Sequence, residues 1–180
     1  MAETNRNLWA PWRMEYIHSL ADESDDKGCF LCRYVDAPEN DAEHRVIWRG
    51  DTCLTVFNKF PYSNGHLLVA PLAHQPDLDD LSDDVLAELF RQVRDAKRLL
   101  AETTHAHGFN VGMNFGRCAG AGLPGHLHVH IVPRWDGDTN FMPVIGDTKV
   151  IPQSMDALSA KMREAAPELG LPDVVKASGQ

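Results

Sequence analysis

The chain has 180 residues, 43% hydrophobic and 24% charged, which suits one globular domain with a buried core and excludes a disordered or fibrous chain. A formal net charge of −9 argues against DNA or RNA binding through a basic surface, but a small phosphorylated ligand can still be held by backbone amides, histidines and a single arginine. Residues 1–14 lack a basic segment followed by an apolar run, and no apolar stretch is long enough to span a bilayer. The expectation is a soluble, cytoplasmic protein without a membrane partner.

The leading segment, residues 1–28, carries Leu8, Trp9, Trp12, Met14, Tyr16 and Ile17 around Pro11 and is expected to pack on the body of the protein or on a partner subunit. Asp22 to Lys27 and Asp36 to Glu43 read as solvated loops on either side of Cys29-x-x-Cys32. In an intracellular protein that cysteine pair reads as metal ligands or as a redox motif rather than a structural disulfide. Cys53 reads as buried filler, and Cys118 has no assigned role.

Val46 to Trp48 and Cys53 to Phe57 predict a hairpin around Arg49-Gly50-Asp51-Thr52. A loop with Pro61 and Asn64-Gly65 follows, bracketed by Asn58 and His66, and strand character resumes from His66 to Ala70. A helix is expected from the N-cap Ser82 to near Thr103, with Asp83 and Asp84 in its first turn. Its core-facing stripe is Val85, Leu86, Leu89, Phe90, Val93, Ala96 and Leu100. Phe109 to Phe115 predicts another strand. The glycine-rich loop from Gly116 to Gly125 offers backbone amides to a phosphate without Cβ obstruction, and it matches neither a Walker nor a dinucleotide-fold fingerprint.

Farther on, Asp136 to Asp138 predicts a turn, Phe141 to Ile145 and Lys149 to Ile151 short strands, and Ser154 to Ala165 a helix before a mobile tail. The fold class is α+β, an antiparallel sheet of about five strands with a long helix packed on it. The expected division is a body over 29–152 and a C-terminal helix and tail over 153–180.

The most informative stretch is Gly125-His126-Leu127-His128-Val129-His130-Ile131-Val132-Pro133. Strand alternation sends Leu127, Val129 and Ile131 into the core and aligns His126, His128 and His130 in one row, roughly 6–7 Å apart, before a proline stop. Histidine is a poor strand filler, so the row implies chemistry. Three readings stand: nucleophilic catalysis at phosphorus, a metal row, and a solvated strand face. Nucleophilic chemistry is favoured because no carboxylate lies close by on the strand.

The pattern His-φ-His-φ-His-φ-φ resembles the signature of the histidine-triad (HIT) nucleotide hydrolases and transferases. Pro133-Arg134-Trp135 through Asp138-Thr139-Asn140-Phe141 resembles its bacterial diadenosine-polyphosphate-processing branch. The resemblance implies a HIT-like fold, a homodimer, and transfer or hydrolysis at the α-phosphate of adenine dinucleotides such as diadenosine tetraphosphate. A nucleotide-binding or scaffolding protein with little turnover is the alternative.

By motif position, His128 matches the nucleophile, which would carry a nucleotidyl intermediate, His130 a phosphate-contacting histidine and His66 an additional histidine. Asn58 matches a ribose contact, and Asn114 a phosphate or sugar contact. Many relatives carry serine, threonine or glutamine where this chain has Gly122 and Leu123, so amides of Gly120 to Gly125, Gly122 included, are expected to serve the nucleotide instead. Cys-x-x-Cys supplies the sulfur half of a tetrahedral zinc site. His74 and His126 are the expected nitrogen ligands, by resemblance to galactose-1-phosphate uridylyltransferases and some bacterial triad proteins, with His44 as the other candidate.

Overall fold

The computed structural model describes residues 28–138 and 151–176. Residues 1–27 of the leading segment, the strand expected at Phe141 to Ile145, the first two residues of the strand expected at Lys149 to Ile151, and the last four residues lie outside the described residues. The described elements are α1 (Phe30–Asp36), β1 (Val46–Arg49), β2 (Cys53–Phe57), β3 (Leu67–Pro71), α2 (Asp83–Thr104), β4 (Gly108–Met113), β5 (Val129–Arg134) and α3 (Met155–Glu168), with 3-10 turns at Pro38–Asn40, Leu78–Asp80 and Arg117–Ala119. The five strands form one sheet in the order β1-β2-β3-β5-β4, every neighbouring pair antiparallel. The α+β expectation holds.

Each face of this sheet has its own apolar layer because successive strand residues point to opposite sides. Ile47, Cys53, Phe57, Leu67, Val69, Val129 and Ile131 pack with Leu89, Ala96, Leu99 and Leu100 of α2 and Leu158 and Met162 of α3. On the other face Val46, Leu54, Val56, Leu68 and Ala70 pack with Leu31 of α1. Cys53 is fully buried, as a small apolar filler should be. His130 stands opposite Leu68 in the β3–β5 register, on the α1 face.

Helix α2 starts where the sequence says it should. The Ser82 side chain accepts from the Val85 amide, and His105, in a left-handed conformation, ends the helix. The stripe differs from the expected one: Phe90 is 51% exposed, and the buried row, Leu89, Val93, Ala96, Leu99, Leu100 and Thr103, takes in Leu99 and Thr103 instead.

Three further features arise from contacts between separate segments. Cys29 caps α1 and Cys32 lies within it, and the helix has only seven residues, too few to persist alone. Arg49 holds its last turn by donating to the carbonyls of Tyr34 and Val35 while pairing with Asp41. Asp41 is therefore buried rather than part of a solvated loop. Strand β5 continues through Pro133 to Arg134 because β3 pairs with β5 only as far as Ile131. Beyond that point β5 has a single neighbour, and a residue lacking an amide proton costs no ladder bond. Residues 171–176 are packed, with Leu171 and Val174 buried, Trp48 Nε1 donating to the Pro172 carbonyl and the Val175 amide donating to Ile47.

Gly65 sets the entry of β3 and hence the position of His66. Its φ is +74°, and a Cβ there would sit 2.8 Å from Leu100 Cδ2 and 3.2 Å from Leu158 Cδ2. Gly65→Ala should therefore lower stability by about 1–3 kcal/mol, measured as the urea midpoint at constant slope. An unchanged midpoint would show that the turn relaxes freely.

Candidate active site

Strand β5 begins only at Val129, so His126 to His128 enter it outside regular strand geometry and the expected even row does not form. The His128 and His130 rings stand edge to face, 4.9 Å apart, and the ring of His126 lies against His74 at 5.1 Å. His66 completes a different group: its Nε2 is 2.9 Å from His130 Nδ1. Asn58 Nδ2 lies 3.2 Å from His66 Nδ1.

Hydrogen-bond partners that can only accept or only donate fix the ring protons. A carbonyl accepts, so His128 Nδ1, 2.9 Å from the His126 carbonyl, carries its proton and leaves Nε2 with a lone pair. The Tyr62 amide donates to His66 Nδ1 at 3.0 Å, so His66 holds its proton on Nε2 and donates it to His130 Nδ1. His130 then carries its own proton on Nε2. The arrangement sets a nucleophilic nitrogen on His128 beside a neutral N–H donor on His130. Both rings are kept neutral. Burial lowers the His128 imidazole from its ordinary value, and burial together with neighbouring His128 pushes His130 down to about 4.

An open cleft of ≈ 460 Å³ adjoins this group, lined by Tyr62, Ser63, Asn110, Gly112, Asn114, His130, Val132, Arg134 and Asp138, among others. His130 and Asn114 are thus on its wall, whereas Asn58, His66 and His128 are not among its lining residues. Gly122 is exposed on the loop before the histidines. Tyr62 was not singled out from the sequence, yet its amide fixes the His66 tautomer and its ring packs on both His66 and His130. No sequence pattern signals a contact made by a backbone amide.

On the α1 side, Cys29, Cys32, His74 and His126 bring one ligand atom each to within 4.8 Å of one another. Cys29 Sγ lies 3.2 Å from His126 Nδ1, and Cys32 Sγ lies 3.2 Å from His74 Nδ1 and 3.6 Å from His126 Nδ1. A tetrahedral ion with bonds of about 2.0–2.3 Å needs ligand atoms about 3.3–3.8 Å apart, so the set fits. His126 Nε2 donates to the Pro71 carbonyl at 2.8 Å, which leaves the Nδ1 lone pair facing the thiols. Gly125 allows this close packing, because a Cβ there would lie 3.2 Å from His74 Nε2. Burial and the adjacent Cys29 push the Cys32 thiol up to about 11; a bound cation supplies the charge compensation that deprotonation requires. His44 does not join the group. It stacks on Tyr34 at 4.1 Å.

The comparisons with known proteins agree with this geometry. The HIT domain model matches residues 39–137. The chain is 41% identical over 151 residues to a Mycobacterium tuberculosis AP-4-A phosphorylase, covering 82% of this chain and 77% of that one. It is 35% identical over 94 residues to an asymmetrical bis(5'-nucleosyl)-tetraphosphatase of Schizosaccharomyces pombe, covering 52% and 51%. Among solved structures, a zinc-bound histidine triad family protein from Mycobacterium smegmatis superposes with a TM-score of 0.62 at 26% identity, covering 79% of this chain and 96% of that one. A hypothetical histidine triad nucleotide-binding protein from Sulfolobus tokodaii gives a TM-score of 0.64 at 27% identity, covering 78% and 93%. From motif, fold and relatives together, this chain belongs to the HIT domain family.

Proposed function

We propose that the protein is a nucleotidyl-transferring enzyme acting at the α-phosphate of dinucleoside polyphosphates such as diadenosine tetraphosphate. The observation that carries this is the His128 Nδ1–H bond to the His126 carbonyl, which leaves a neutral lone pair on Nε2. The names of the relatives, a phosphorylase and a tetraphosphatase of such compounds, support the substrate class.

In the first step His128 Nε2 attacks the α-phosphorus, an N–P bond forms, and the P–O bond to the polyphosphate breaks with its electron pair leaving on oxygen. The His126 carbonyl stabilises the resulting imidazolium through Nδ1–H. His130 Nε2–H donates to a phosphate oxygen as charge builds there, its direction set through His66 and Tyr62. In the second step an oxygen of phosphate or water attacks the same phosphorus, the N–P bond breaks, and the electron pair returns to Nε2. Asn58 and Asn114 bind the nucleotide, and amides around Gly122 receive the polyphosphate, which leaves without needing a proton.

Zinc suits the donor set of Cys29, Cys32, His74 and His126, where it would supply a structural cross-link between α1 and the start of β5. The unpaired cysteines fit a cytoplasmic setting, and no helix among the described residues is long and apolar enough to cross a membrane. The open edge of β4, with Val111 47% exposed, is the surface on which a homodimer would form.

His128→Ala should abolish turnover of diadenosine tetraphosphate, and product analysis with native protein should give ADP and ATP when phosphate is present and AMP and ATP without it. Full turnover by the variant would reject the reading. Protein purified without added metal should contain about one zinc per chain, lost in Cys29→Ser; a stoichiometry near zero in native protein would reject the site.

The neutral state of His130 also predicts a pH dependence. Its folded value, about 4, lies below the ordinary 6.5, so the unfolded chain takes up the proton first as pH falls. The stability contributed by keeping it neutral is complete above pH 6.5 and is lost between 6.5 and about 4. The urea midpoint of His130→Asn should fall less steeply over that range than that of native protein, and parallel curves would contradict the assignment.

A further inference from the structure

The β3–β5 register pairs Val69 with Val129, and continued two residues farther out it would set Leu127 opposite Pro71. Neither residue keeps that pairing. The Leu127 amide donates to the Gln75 carbonyl at 2.7 Å, and the Pro71 carbonyl accepts from His126 Nε2 at 2.8 Å. The chain from His126 to His128 thus runs off the sheet because its central amide is held by the segment after β3 and not by β3 itself.

Gln75 is fixed from two sides. Pro76 follows it, and the residue before a proline is confined to extended backbone. Its side chain donates through Nε2 to the Asp80 carbonyl at 2.8 Å, closing an arc in which Asp77 accepts from the Leu78 and Asp79 amides. Leu81 beside Asp80 is buried, and Leu78 packs against the same apolar layer as α2. The core therefore anchors Asp80, Asp80 anchors Gln75, and the Gln75 carbonyl anchors Leu127, the residue between His126 and His128.

We propose that Gln75 is a positioning residue for His128. Its carbonyl diverts Leu127 from the sheet, which brings the His126 ring to Cys29 and Cys32 and sets the His126 carbonyl against His128 Nδ1. Its side chain keeps that carbonyl in place. The proposal rests on the reading that His128 attacks the phosphorus.

The test uses three substitutions in the full chain. Gln75→Ala removes the bond to Asp80, and so does the nearly isosteric Gln75→Glu, whose carboxylate accepts but cannot donate, whereas Gln75→Lys keeps a donor. Loss of one such bond corresponds to roughly tenfold, so kcat for diadenosine tetraphosphate should fall by up to that factor in Gln75→Ala and Gln75→Glu with KM little changed, and Gln75→Lys should recover most of it. Imidazole 15N NMR supplies the second readout. Native His128 should show a protonated Nδ1 and an unprotonated Nε2, and Gln75→Glu should show a mixture of the two tautomers. Native kcat in both Gln75→Ala and Gln75→Glu would overturn the proposal. So would a lowered kcat with the native His128 tautomer, the result of a merely structural role, or a Gln75→Lys variant as impaired as Gln75→Glu. Normal turnover by His128→Ala would instead overturn the parent reading.

Discussion

One residue, His126, joins the two halves of the site. Its Nε2–H is spent on the Pro71 carbonyl, its Nδ1 faces the thiols of α1, and its own carbonyl accepts from His128 Nδ1. The ring is therefore part of the group that could hold a metal, and the main chain of the same residue orients His128, the proposed nucleophile. A shift of His126 would turn the His128 lone pair, so the distance between the cysteine helix and β3 bears directly on the chemistry. Arg49, which grips the last turn of α1, holds the other end of that helix in place.

A second constraint is electrical. His66 stands within hydrogen-bonding distance of His130 and His128 within ring contact of it, and three cations there would repel. Burial settles the matter by disfavouring charge on His128 and His130. The chain of donors from the Tyr62 amide through His66 to His130 fixes one protonated nitrogen on each of those two rings, and the His126 carbonyl fixes the one on His128. A neutral imidazole lone pair and a neutral N–H donor suit the anionic substrate proposed for the site, and the overall negative charge of the chain does not oppose this because nearby groups dominate the local potential.

Much of this was readable from the residues. The period-two run after Gly125 announced both a core strand and a chemical face, Ser82 with Asp83 and Asp84 announced the start of α2, and Cys-x-x-Cys announced half of a metal group. What the sequence could not show has a common cause: it depends on backbone groups or on packing between distant segments. The diversion of the His126 ring, the helix at Phe30–Asp36 held by Arg49, the burial of Asp41 and the placing of Tyr62 on His130 all arise from contacts between residues far apart in the chain. Phe90 shows the complementary error, since a helical stripe tells which residues share a face but not how wide the covered part of that face is. Proline ordinarily stops a strand, but at Pro133 β3 no longer pairs with β5, so no ladder bond to β3 is lost.

The central claim is that His128 Nε2 forms the covalent bond to the α-phosphorus. Mixing the protein with diadenosine tetraphosphate in the absence of phosphate, quenching in base to preserve the phosphoramidate, and mapping the peptides by mass spectrometry tests it most directly. An adenylyl group should be found on His128 and on no other histidine. An adduct on His126, His130 or His66, or turnover with no adduct at any quench time, would contradict it.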